Sequence, residues 1–194
     1  MSSTSYTPQD SYTPKEQRLM LEVAGRSIDH GLTHGSPLPV DPSDYPEALR
    51  ALRATFVTLT IEGQLRGCIG VLEARLPLIV DIANNAYSAA FSDPRFPPVG
   101  AAERPLLQIK ISVLTPPEPM AVSSEAELLE KIRPYRDGLI LEDDRHRGTF
   151  LPSVWESLPD PREFVRHLKL KAGLPPDSWS DSLRVSRYEA IEVG

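Results

Sequence analysis

Proline limits how long any element of this chain can grow. Twenty of its 194 residues are proline, about twice the average usage of roughly 5%. They gather in runs such as Pro37, Pro39, Pro42 and Pro46, then Pro94, Pro97 and Pro98, then Pro116 and Pro117. Each ring fixes φ, removes a backbone donor and turns the preceding residue away from the helical region. The pattern predicts many short elements joined by fixed turns, in preference to long helices.

Residues 1–12 are rich in Ser, Thr and Tyr without periodicity and read as a mobile tail, leaving 13–194 as a single domain. Thr13, Pro14 and Glu16 form a capping box with a first-turn proline. Leu19, Met20, Val23, Ala24, Ser27 and Ile28 give that helix its inner face, and Gly31 is expected to end it. A short helix near 47–53 follows. Phe56 to Ile61 and Gln64 to Leu72 read as strands of a tight hairpin turning at Glu62-Gly63. Helical spacing runs from Ile79 to Phe91. Asp93-Pro94-Arg95-Phe96-Pro97-Pro98 can only be an extended loop. Leu107, Ile109, Ile111 and Val113 alternate with polar residues as in a strand with one buried face. Ser124 and Glu127 read as a second capping box, opening a helix to about Ile132. Gly138 to Glu142 and Gly148 to Leu151 form a second hairpin, and Pro152 starts a short helix holding Trp155. Asp160-Pro161-Arg162-Glu163 opens a helix that Gly173 closes. Leu183 to Val193 is expected to be one last strand. This order favours an α+β fold with a mixed, largely antiparallel sheet flanked by helices.

Composition narrows the function classes. The chain is 40% hydrophobic and 25% charged, an ordinary balance for a globular protein. It shows neither an apolar run of the roughly 18 residues a membrane span needs nor the basic and apolar regions of a signal peptide, so a cytoplasmic location is expected. A net charge of -6 and a pI near 5.3 work against broad nucleic-acid binding, which needs a basic footprint, while leaving room for a local basic surface. One cysteine cannot form an internal disulfide or a thiolate zinc cluster. No metal site and no cofactor is evident. Neither GxGxxG nor GxxxxGK[ST] occurs, which discounts a dinucleotide or NTP site.

That cysteine, Cys68, lies in Leu65-Arg66-Gly67-Cys68-Ile69-Gly70. Strand alternation puts Arg66, Cys68 and Gly70 on one face and Leu65, Gly67 and Ile69 on the other. A guanidinium beside a thiol favours the thiolate. Cys68 is therefore the candidate nucleophile or redox-sensitive thiol, with Arg66 and the close backbone at Gly67 as an anion site. The competing reading is a small buried hydrophobe. Arg95, in its proline-fixed loop, could join Arg66 on a carboxylate or phosphate; otherwise the two are structural arginines, with Asp93 a partner.

His167 and Lys171 are four apart on the helix that starts at Asp160 and share its Phe164 face, so they could supply a base and an anion contact. Arg162, Arg166 and Lys169 form a separate basic stripe, and both groups also fit an ordinary solvated face. His30 and His34 have helical metal-pair spacing, yet Gly31 and Gly35 point to a loop and no third ligand is evident. Glu142, Asp143 and Asp144 read as a solvent-facing hairpin tip.

Five blocks occur in a recognisable order: LRGCIG at 65–70, AAFSDPRFPPV at 89–99, ISVLTPPEPM at 111–120, RGTFLPSVWE at 147–156 and HLKLKAGLP at 167–175. In these the chain resembles the AMME-syndrome candidate-region (AMMECR) protein family, whose prokaryotic members are called AmmeMemoRadiSam system protein A. The resemblance runs from about Thr13 to Val193. It implies two subdomains with a cleft between them, the cysteine motif near that cleft, and association with a Memo-like protein and a radical SAM protein. It carries no reaction. The expectation is an accessory or catalytic component acting with those partners through Cys68 and Arg66. The alternative is a non-enzymatic protein- or RNA-binding adaptor in which LRGCIG is structural.

Overall fold

The first helix shows both how local signals succeed and where they stop. In the computed structural model, which describes residues 11–194, α1 spans Pro14–His34. Thr13 Oγ1 accepts from the Glu16 N–H at 3.3 Å and Glu16 Oε2 accepts from the Thr13 N–H at 2.8 Å, closing the capping box. The helix does not stop at Gly31. It runs on to Gly35, whose φ of 67° provides the left-handed cap that glycine adopts without steric cost. Gly31 serves packing instead: a Cβ there would lie 2.3 Å from the Phe91 ring and 2.8 Å from Tyr87. The 21-residue helix is thus longer than the proline pattern suggests, because none of those runs falls inside it. Most of the proposed tail lies outside the described residues, but Tyr12 packs on the core and its carbonyl accepts from Gln17 Nε2.

The described residues form two compact units. The first runs up to Leu114 and adds Ile191–Gly194; the second is Thr115–Ala190.

In the first unit, β1 (Thr55–Ile61), β2 (Gln64–Gly70), β3 (Gln108–Leu114) and β8 (Ala190–Val193) form a sheet in the order β2-β1-β3-β8. Val57, Leu59, Ile111 and Val113 pack with Ile79, Ile82 and Ala86 of α3 (Leu78–Phe91) and Met20, Val23 and Ile28 of α1. A short α2 (Glu47–Arg50) adds Leu49. A buried polar cluster under this sheet is satisfied: Asp81 accepts from the Thr55 N–H and hydroxyl and from Asn85. Burial pushes the Asp81 carboxyl up, and those hydrogen bonds oppose it.

The second unit holds β4 (Glu118–Met120), α4 (Glu125–Lys131), β5 (Gly138–Glu142), β6 (Arg147–Phe150), α5 (Pro161–Ala172) and β7 (Arg184–Tyr188), with sheet order β4-β7-β5-β6. Trp155 and Phe164 stack at 3.8 Å in its core. The expected last strand is two. β7 pairs with β4 and β5, and after Glu189 the chain enters β8 of the other sheet. Strand β4 lies beyond the Pro116-Pro117 stop, where no strand is expected. At α4, Ser124 Oγ accepts from Glu127 N–H, but the Glu127 carboxylate reaches Ser123 and not the cap residue. The β1–β2, β1–β3, β4–β7, β5–β6 and β5–β7 pairings are antiparallel.

Candidate thiol site

The hairpin that carries Cys68 begins as the sequence predicts. Glu62 and Gly63 have φ of 51° and 77°, the two positive values that a type I′ turn requires. Ile61 then faces Gln64, and Thr60 faces Leu65. The next rung breaks this register. Leu59 faces Gly67, so Arg66 opposes nothing and forms a β-bulge. A one-residue shift reverses the facing of all that follows. Without it, Cys68 would oppose buried Val57; with it, Cys68 opposes Thr58, on the sheet face turned away from α1 and α3. Strict alternation is therefore corrected: Leu65 and Cys68 oppose Thr60 and Thr58, two residues of one β1 face.

Two glycines make this strand possible. A Cβ on Gly67 would sit 2.0 Å from the Ala89 carbonyl oxygen of α3, and one on Gly70 would sit 2.3 Å from the Phe56 ring. The close backbone read in the motif is real, and it is approach to a helix and a ring.

Cys68 is half-buried. Its Sγ lies 3.3 Å from Thr58 Oγ1. Its backbone faces the open edge of the sheet, since β2 is an edge strand. Asp93 Oδ2 accepts the Cys68 N–H at 2.9 Å, and Arg95 Nη2 donates to the Cys68 carbonyl at 3.5 Å. The proline-fixed loop thus replaces a neighbouring strand, which an exposed edge otherwise lacks. Asp93 is 2% exposed and also accepts from Arg95 Nε and Nη2. The Arg95 guanidinium, helped by the Cys68 and Arg95 N–H groups and opposed by burial, holds the Asp93 carboxyl well below the usual carboxylate range. In return Arg95 is pushed up, chiefly by Asp93. Arg95 is thus tied to Asp93 and to the Cys68 carbonyl.

Arg66 takes a different partner. Its Nε and Nη2 donate to Glu103 at 2.7 and 3.0 Å. Glu103 also accepts from the Gly100 N–H, and with Arg66 as the main cause its carboxyl falls to about 2. Phe96 lies between the two cations, 6.0 Å from the Arg66 guanidinium carbon and 5.5 Å from that of Arg95. Arg66 Nη1 is buried with no acceptor among the described residues. Both guanidinium groups are already committed to carboxylates of this chain.

The other sequence candidates lie in the second unit or in α1. Lys171 Nζ donates to the Thr149 carbonyl and lies over Phe150; His167 is exposed, 3.6 Å from Glu163. The basic stripe is corrected, because Lys169 is wholly buried, paired with Glu125 and set over Trp179. His30 and His34 stack within α1 and not in a loop. Glu142, Asp143 and Asp144 pair with Arg147, His146 and Arg184. Among the described residues no three His, Cys, Asp or Glu side chains gather as a metal site. Thr58, Phe96 and Glu103 are not among the site residues that the sequence singles out. The bulge hides Thr58, and nothing local links Glu103 to Arg66, 37 residues away.

The profile of the AMMECR1 family matches residues 21–193. The chain belongs to the AMMECR1 family. A protein of Methanothermobacter thermautotrophicus is 42% identical over 181 residues, covering 90% of this chain and 92% of that one. A protein of Methanocaldococcus jannaschii is 45% identical over 154 residues, 75% of each. The crystal structure of an uncharacterized protein from Pyrococcus horikoshii matches with a TM-score of 0.84 at 34% identity, covering 93% of this chain and 91% of that one. The α+β fold read from the sequence is shared with that structure. Among the described residues no helix is long and apolar enough to cross a membrane.

Proposed function

We propose that this chain is a cytoplasmic accessory or catalytic component whose Cys68 acts as a nucleophile or thiol carrier, working with the Memo-like and radical SAM proteins implied by the family resemblance. One observation carries the reading: the bulge at Arg66 turns the sulfur out of the core while Asp93 and Arg95 fix its backbone. A thiol held this way loses little freedom on reaction. Arg95, through the Cys68 carbonyl and Asp93, supplies part of that hold. Arg66 is a positioning residue that acts through Glu103 on the 100–103 turn, and Gly67 lets the strand seat on α3.

The test is alkylation of native protein with iodoacetamide, followed by mass measurement. Native Cys68 is expected to label, and Arg95→Met to slow labelling by several-fold, with Cys68→Ser unlabelled and its melting transition unchanged. Protection of Cys68 until the chain is unfolded would sink the reading. Co-purification with the two partners, followed by a mass search for an adduct on Cys68, extends it.

A second reading, a protein- or RNA-binding adaptor with a structural LRGCIG motif, draws on the steric reasons for Gly67 and Gly70 and on the internal pairing of both arginines. It predicts a Cys68→Ser protein that keeps full function.

A further inference from the structure

A transverse polar row crosses the sheet face on which Cys68 lies. Thr58 is in register with Cys68 on one side and Lys110 on the other, and Lys110 Nζ lies 3.3 Å from the Glu192 carboxylate of β8. Thiol, hydroxyl, ammonium and carboxylate therefore follow one another across four strands, whose backbones lie about 4.8 Å apart. A groove of about 410 Å³ opens over the Thr58, Lys110 and Glu192 part of this row and is lined also by Thr60 and Gln108 among others, while Cys68 lies outside its lining. That volume is within the range of small-molecule sites.

Glu192 is held by the neighbouring strand β3 as well. The Ser112 hydroxyl, on a residue only 6% exposed, lies 2.9 and 3.1 Å from its two oxygens. A carboxylate fixed by a buried hydroxyl thus stands beside an ammonium, two opposite charges side by side. The groove holds neither an aromatic platform for a base or sugar nor an uncompensated cation for a phosphate.

We propose that this groove binds the head group of a free α-amino acid, its carboxylate on Lys110 and its ammonium on Glu192. The two charges of that head group sit on adjacent carbons, which matches adjacent, opposite partners. The side chain then extends over Thr58, and the one strand spacing from Lys110, about 4.8 Å, suits an unbranched chain of about four carbons. Thr60 and Gln108 flank it.

The probe is L-norleucine, titrated into the ¹⁵N-labelled chain, with norleucinamide and N-acetylnorleucine as ligands lacking one charge each. Norleucine is expected to shift the amides of Thr58, Lys110 and Glu192 saturably, and each control to bind about tenfold more weakly. Lys110→Met should remove the discrimination against norleucinamide, and Glu192→Gln the discrimination against N-acetylnorleucine; a merely structural pair would give neither. Equal binding of all three ligands, or no saturable shift with norleucine, overturns the proposal. The titration involves no thiol chemistry, so its failure and that of the Cys68 reading are separately visible.

Discussion

The two hairpins solve one problem in different ways. In each, the second strand lies at a sheet edge and carries a glycine pressed against a helix: Gly67 of β2 against Ala89, and Gly148 of β6 against Ala172. The β5–β6 ladder keeps one register throughout, while the β1–β2 ladder slips at Arg66. The edges differ too. A buried carboxylate and a guanidinium close β2 at Cys68, whereas one exposed lysine reaches the Thr149 carbonyl of β6. A regular hairpin thus needs little at its edge, and a bulged one that turns a thiol outward is held on both backbone groups.

Substitution of the paired glycines separates them most. Gly67→Ala drives a methyl into a helix carbonyl at 2.0 Å, and Gly148→Ala meets atoms of Ala172 at 2.8 to 2.9 Å. Denaturant unfolding is expected to show a loss of about 3 kcal/mol or more for the first and about 1–3 kcal/mol for the second. Equal losses would mean that β2 can lift from α3.

Asp93→Asn comes next. It removes the charge from a buried acceptor of the Arg95 side chain and the Cys68 N–H, with an expected cost of about 2 kcal/mol in the same measurement. It should also raise amide exchange at Cys68 and leave Thr149 unchanged.

Acid sharpens the contrast further. Asp93 and Glu103 are more acidic in the fold than in the unfolded chain, so the stability they supply is present above the ordinary carboxylate range near pH 4. It is lost as pH falls through their folded values, that of Glu103 being about 2. Asp81, pushed up by burial, works in the opposite sense, since its protonation removes a desolvation cost. Asp93→Asn should therefore flatten the fall in stability below about pH 4; an unchanged slope would assign that fall to other carboxylates.

Lys171→Met is the smallest perturbation. Its hydrogen bond to Thr149 is at the surface, and about 0.5 kcal/mol is expected. A loss as large as that of Asp93→Asn would erase the difference between the edges.

Much of the fold can be read in short stretches. The Thr13 and Asp160 caps, the Glu62-Gly63 turn, helix α3 and the β5–β6 hairpin follow from signals within a few residues of one another. The candidate site is less legible. Cys68, Arg95 and Asp93 can be picked out of the sequence, but their pairing cannot. Nor can the passage of the final strand from one sheet to the other at Glu189, where no proline or glycine marks the break.

What the sequence determined by itself was local: where the backbone could turn, cap or extend, because those limits come from φ restrictions and hydrogen bonds between near neighbours. Only the tertiary structure decided the face of Cys68 and the partner of each arginine. Those depend on a strand register set by the Ala89 carbonyl, 22 residues beyond Gly67, and by a carboxylate 25 residues beyond the thiol. No periodicity can encode such contacts, since a single inserted residue at Arg66 reverses every side chain after it.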